Sequence, residues 1–332
     1  MNTYFPPFTY MFFLLFGTLV TASSSSLFGM WMGLEINLMS FIPMIINSEY
    51  NKKSSEAAIM YFLVQAIASS LVIFSTMLFF LYSSQILQSS PNLVITLALC
   101  TKLGMAPFHL WFPEVLSGLS WVNTLILLTW QKISPLIVMS MFFQEKILLM
   151  VALTSAIVGA ISGINQMSMR KILAFSSIAH MGWIMSMMAI YSNFWIDYFL
   201  VYCITSYILC LSFWMFNINY FSQLTLTQDL FKKIIIFINL LSLGGVPPLL
   251  GFFPKWMAMM ALYQNFPTLV ILIFSSLVTL FFYTRLCFST FTLYFQNNLW
   301  MLKMETKKSF YFLSFLTFFS LVGIFPIAIM SM

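Results

Sequence analysis

Residues 57–81 run for 25 positions without a charge (AAIMYFLVQAIASSLVIFSTMLFFL). An α-helix of that length spans the ~30 Å hydrocarbon core of a bilayer. Hydrocarbon offers no water to unpaired backbone groups, so such a stretch has one solution: a helix that satisfies its own N–H and C=O groups. The pattern recurs along the chain. Breaks at polar or proline-flanked joints leave eleven segments, at 8–20, 27–46, 57–81, 92–112, 119–143, 147–165, 172–191, 194–217, 233–264, 268–291 and 309–329. Only 7% of the residues are charged, against about 25% in soluble domains, so no water-soluble domain fits. The expected fold class is all-α, a polytopic membrane protein of about eleven transmembrane helices.

Basic residues set the orientation. With the amino terminus on the inner face, the inner loops hold Lys52, Lys53, Arg170, Lys171, Lys232, Lys233, Lys303, Lys307 and Lys308, and the outer loops hold only Lys146. This is the asymmetry of the positive-inside rule. The +6 net charge is therefore an orientation signal, and nucleic-acid binding is not implied. The first 22 residues carry no basic residue, so no cleaved leader is expected and insertion falls to the spans themselves.

Two segments contain helix breakers. The fourth holds Gly104 and Pro107, with Pro113 just beyond it; the ninth holds LLSLGGVPPLLGFFPKW, with Gly244, Gly245, Pro247, Pro248, Gly251 and Pro254. Proline removes a backbone donor and presses on the preceding turn. The carbonyls so freed persist at membrane depth only where protein or water covers them. Taken as five and five, the first ten segments place each broken one fourth in its set, and the odd count turns the second set over. Matched interrupted segments in inverted halves point to a transporter site. Two inverted five-helix repeats are therefore expected, 1–145 and 146–292, followed by a loop and a peripheral final helix in 293–332.

Once the loops are set aside, six ionisable residues remain at membrane depth: Glu35, Lys102, His109, Lys132, His180 and Lys255. Each charge costs at least ~2.5 kcal/mol at the centre of a lone helix, so they are candidates for a proton or ion path. Glu35 has no basic residue three or four positions away, so its partner lies on another helix, and Lys102 is the candidate. A carboxylate favours the ammonium while burial favours the amine, so their balance can switch. Bland alternatives stand beside this: a helix-locking ion pair for Glu35, a hydrogen bond to a carbonyl for either histidine, and a snorkelling side chain for Lys255. Asp197 and Arg285 fall near span ends and read as interfacial.

Other chemistries have no foothold. There is no GxGxxG after a strand, no P-loop and no CxxC, and the four cysteines (Cys100, Cys203, Cys210, Cys287) fall inside spans as packing residues. Neither a cofactor nor a metal is expected on this chain. The 38 Phe and 26 Met fit an AT-rich gene that reads AUA as methionine, the habit of animal mitochondrial genes.

The stretches LEINLMSFIP, EAAIMYFLVQAIAS, TKLGMAPFHLWFPEV, WQKISPL, RKILAFSSIAHMGW and LLSLGGVPPLLGFFPKW resemble, in order and spacing, the chain 2 family of antiporter-like membrane subunits of mitochondrial NADH:ubiquinone oxidoreductase (respiratory complex I). The resemblance runs over 34–256. It implies inverted five-helix repeats and a proton path in which Glu35 is the family's glutamate, Lys102 and Lys255 the lysines of the two broken helices, and Lys132 the central lysine. His109 and His180 are possible relays. It further implies that NAD, FMN, iron–sulfur clusters and ubiquinone belong to partner subunits. The partners are other membrane-arm and accessory subunits and lipids including cardiolipin, with no nucleic acid and no homo-oligomer. The expected place is the mitochondrial inner membrane, amino terminus in the matrix. A stand-alone cation/proton antiporter and a structural membrane-arm subunit without its own proton path are the alternatives.

Overall fold

Apolar runs bounded by polar joints become helices throughout the computed structural model, which describes residues 8–48, 52–81, 89–190, 192–226 and 230–292, with 314, 315, 317, 318, 320 and 321. The helices are α1 (Phe8–Ser23), α2 (Leu27–Ser48), α3 (Lys52–Leu81), α4 (Ser89–Leu103), α5 (Trp111–Gly118), α6 (Trp121–Leu128) and α7 (Trp130–Met141). They continue with α8 (Glu145–Gly163), α9 (Met169–Ala189), α10 (Phe194–Met215), α11 (Phe221–Leu226), α12 (Leu230–Gly244), α13 (Phe252–Ala261) and α14 (Phe266–Thr292). Among the described residues seven helical stretches are long and apolar enough to cross a membrane. Among the described residues the only β pairing is the isolated bridge Ser168–Tyr220. The protein is an all-helical, polytopic membrane protein. The expected eleventh helix, 309–329, lies largely outside the described residues.

The chain forms two compact units, Met1–Ser155 with Met188–Ile190, and Ala156–Met187 with Tyr191–Met332. In the first, α1 and α2 pack closely through glycines: a Cβ on Gly33 would lie 2.8 Å from the Gly17 carbonyl. Small residues of this kind let helix backbones approach in lipid. α3 packs against α2, α4 and α5, and α7 against α1, α2, α4 and α6.

Residues 119–143, expected as one helix, bend at Thr129 (φ −114°, ψ −70°) into α6 and α7. Pro135 lies inside α7 and offers no N–H to the carbonyl four residues back, which kinks helices at this spacing. The break at Thr129 falls just ahead of Lys132.

In the second unit α9 is buried along its length, and α12 packs against α10 and α14. The short α11 was not expected, because six residues carry too little periodicity to register. It follows a loop tied down by Arg170, whose guanidinium donates to Asn219 Oδ1 at 3.0 Å. Exposed Phe, Leu, Met and Ile side chains cover both units, as on Phe12, Phe74, Ile161 and Phe274, which suits a lipid or subunit environment.

Candidate functional site

The break after α4 begins with a left-handed residue. Gly104 has φ +67°, a conformation that costs glycine little and other residues more. Its N–H donates to the Thr101 carbonyl at 3.2 Å, and the Met105 N–H to the Cys100 carbonyl at 3.0 Å. This is the Schellman arrangement that ends a helix. The helix-end carbonyls take further donors from neutral side chains: Gln65 Nε2 to Lys102 O (3.2 Å) and Trp111 Nε1 to Thr101 O (3.2 Å).

Lys102 and Lys132, from α4 and α7, are both buried and line one cavity with Asn37, Tyr61, Gln65 and Gln131. Its volume is about 20 Å³, room for one water. A net of polar groups spans the surrounding helices: Gln131 Nε2 donates to Asn37 Oδ1 (3.0 Å), Asn37 Nδ2 to Ser134 Oγ (3.2 Å), and the Tyr61 hydroxyl to Gln131 Oε1 (3.3 Å). Lys132 Nζ lies 5.2 Å from the centroid of the Phe112 ring, a cation–π distance.

Glu35 is two residues from Asn37, about 200° around α2 at 100° per residue. It faces a different cavity, of about 420 Å³, with Tyr10, Phe13, Trp31, Met32 and Met39. No ion pair joins Glu35 and Lys102 among the described residues, and Glu35 Oε2 is buried without a hydrogen-bond partner. His109 sits outside the Lys102 cavity, with Nδ1 3.3 Å from the Pro107 carbonyl.

The break after α12 repeats the first. Gly245 has φ +75°, its N–H donates to the Ser242 carbonyl (3.0 Å), and the Val246 N–H donates to the Leu241 carbonyl (3.3 Å). With the glycines aligned, Pro107 matches Pro248, Phe112 matches Phe253 and Pro113 matches Pro254. Both Pro107 and Pro248 follow a cis peptide. In this register Lys255 matches Glu114, and Lys102 matches Leu243. The two lysines are therefore not positional counterparts, as their shared association with a break suggests: Lys102 precedes its glycine and Lys255 follows its own.

Lys255, in the first turn of α13, does not snorkel; it is 6% exposed and donates to the Gly244 carbonyl at 2.8 Å. His180, on α9, places Nδ1 3.0 Å from the Tyr198 hydroxyl and its ring 5.3 Å from that of Tyr202.

The structure thus brings together Lys102 and Lys132, sets Glu35 behind them, and leaves His109 at the edge of the break. Asn37, Tyr61, Gln65, Gln131, Tyr198 and the Gly244 carbonyl were not anticipated. The amides carried a signal, being lone polar groups in apolar spans. Among the described residues no group of three or more His, Cys, Asp or Glu side chains is placed to hold a metal ion.

Residues 24–283 match the family described as NADH:quinone oxidoreductase/Mrp antiporter, TM. NADH-ubiquinone oxidoreductase chain 2 of Anopheles gambiae is 47% identical over 303 residues, covering 89% of this chain and 88% of the relative. The Locusta migratoria protein of the same name is 38% identical over 321 residues, covering 94% and 93%. In fold, the chain is similar to a chain of respiratory complex I from Thermus thermophilus (TM-score 0.83, 21% identity, 96% of this chain and 77% of that one). It is also similar to a chain of the Mrp complex from Dietzia sp. (TM-score 0.75, 17% identity, 83% and 59%). Sequence and fold agree, and the chain belongs to the NADH:quinone oxidoreductase/Mrp antiporter transmembrane family.

Proposed function

We infer that the chain is a proton-translocating, antiporter-like core subunit of mitochondrial NADH:ubiquinone oxidoreductase, acting in the inner membrane with the other subunits of that complex. The observation that carries this is the burial of Lys102 and Lys132 around one water-sized cavity at a helix break, inside a net of amides and a phenol. A buried amine can take or release a proton where bulk water is absent, and a water fixed between two such amines provides the step. Glu35 sets the bias. Its carboxylate oxygen Oε2 is buried without a hydrogen-bond partner, and an approach to Lys102 strengthens their attraction steeply at low dielectric. When the carboxylate approaches, Lys102 holds its proton; when it withdraws, the proton passes through the cavity to Lys132. His180 with Tyr198, and Lys255 at the second break, supply the groups of the second unit, and His109 serves the mouth of the first break.

Quinone reduction in partner subunits supplies the energy, and NAD, FMN, iron–sulfur clusters and ubiquinone are bound there. The chain comprises eleven transmembrane helices in two inverted five-helix repeats, 1–145 and 146–292, with a peripheral last helix in 293–332 and its amino terminus in the matrix. The twin Schellman turns support the repeat. Lipids including cardiolipin surround it, and it does not self-associate.

Replacing Lys102 by Met tests the switch. The complex is expected to assemble, with proton pumping and coupled quinone reduction abolished or severely reduced; a normal proton-to-electron ratio refutes the role. Cation/proton exchange by the purified chain in liposomes without NADH would indicate a stand-alone antiporter. If neutralising Lys132 and Lys255 impairs assembly but not pumping per assembled complex, the chain is structural.

A further inference from the structure

The C-terminal end of a helix presents carbonyls with no intrahelical donor and carries roughly half a negative charge. At the end of α12, the Schellman turn occupies the Leu241 and Ser242 carbonyls, and the Gly244 carbonyl takes the Lys255 ammonium. Among the described residues this carbonyl is the one hydrogen-bond acceptor of Lys255. The one acidic residue described in that unit, Asp197, is exposed in the first turn of α10. The lysine stem lies directly over Gly245. A Cβ there would stand 2.8 Å from Lys255 Cδ and 3.1 Å from both Cε and Nζ. At the matched position of the first break, a Cβ on Gly104 would meet the side chain of Phe112 instead, at 2.9 Å.

We propose that the broken end of α12 is the negative partner of Lys255, and that Gly245 is a positioning residue whose missing side chain lets the ammonium dock on the Gly244 carbonyl. The backbone here does what the Glu35 carboxylate does for Lys102. The functional consequence rests on Lys255 being a proton carrier: the lysine is held at the break, and it moves its proton by leaving that carbonyl. The docking itself rests only on geometry.

The experiment uses the intact respiratory complex carrying Gly245→Ala, Lys255→Ala, or both, with Gly104→Ala as the matched control. Two quantities are read, the amount of assembled complex and its thermal midpoint, and the protons pumped per NADH oxidised. Gly245→Ala is expected to reduce pumping by about tenfold to a hundredfold, the scale of a misplaced reacting group. It is also expected to lower the midpoint. In the Lys255→Ala background the part of the midpoint loss that comes from the clash disappears, because the added methyl group then has room, and only the cost of a left-handed alanine remains. Gly104→Ala gives the same loss whether or not Lys255 is present. If Gly245→Ala alone prevents assembly, assembly of the double variant supports docking, and failure of both overturns it. Equal losses from Gly245→Ala with Lys255 present and with Lys255→Ala also overturn it. Normal pumping by Lys255→Ala would instead refute the relay and leave docking intact, so the two failures are distinguishable.

Discussion

The two broken helices share a backbone and differ in their chemistry. Each ends in a left-handed glycine with the same pair of turn hydrogen bonds, and each resumes at a Phe-Pro pair. At the first, neutral donors from Gln65 and Trp111 satisfy the helix-end carbonyls, which leaves the Lys102 side chain to line a cavity with Lys132. At the second, the cation itself is the cap. A helix break therefore does not dictate where its charge goes. It creates a negative helix end, and the surrounding side chains decide whether a lysine is drawn onto that end or left beside water.

The largest expected effect comes from Lys102→Arg and, separately, Lys255→Arg. A guanidinium remains charged at any physiological pH, so Coulomb attraction persists while proton release stops. Pumping is expected to fall by at least about tenfold in each case, a loss of more than about 1.4 kcal/mol in transition-state terms. The breaks should differ in assembly. In Lys255→Arg the guanidinium has to pass its bulk over Gly245, where the lysine stem is already in contact. This variant is expected to reduce the assembled complex more than Lys102→Arg. Proton-to-electron ratios and native gels check both, and full pumping by either variant would remove that lysine from the path.

Lys102, Lys132 and Lys255 stood out in the sequence because a charge among Leu, Ile and Phe is conspicuous wherever it lands. Both breaks were visible from Gly and Pro, whose effects on a helix are local. What the sequence withheld is what depends on distance between segments. Gln131 and Asn37 are 94 positions apart and Gln65 and Lys102 are 37 apart, so no pattern within one span reveals their pairing. The bend at Thr129 was missed because no glycine or proline marks that position and the apolar run 119–143 continues through it. The placement of Glu35 against α1, away from the Asn37 face, depends on the rotation of α2, which tight glycine packing fixes and apolar periodicity in an all-apolar span does not.

A smaller effect is expected from Gln65→Leu, which removes a neutral cap from the first break. The side chain is similar in volume, but the buried Lys102 carbonyl loses its donor. An orphaned buried acceptor costs about 1 to 3 kcal/mol, and nothing is gained in return. The thermal midpoint of the assembled complex is expected to fall. An unchanged midpoint would mean that water replaces the amide, and that the first break is wetter than a cavity of about 20 Å³ suggests.

The smallest stability change is expected at the cationic cap. Lys255→Met removes a charged hydrogen bond worth about 1.5 to 3 kcal/mol, but it also removes a buried ammonium whose presence at membrane depth costs about 2.5 to 3.5 kcal/mol. The two effects oppose one another and at mid-range differ by less than about 1 kcal/mol, so the net change is small, while pumping is lost with the amine. Removing the neutral cap by Gln65→Leu should therefore destabilise the complex more than removing the cationic one, although the cationic bond is individually the stronger. The thermal midpoints of the two variants, measured side by side, decide this. The reverse order would mean that the α12 end repays more of the ammonium's desolvation than a single carbonyl can, which would place additional negative groups around Lys255 beyond Gly244.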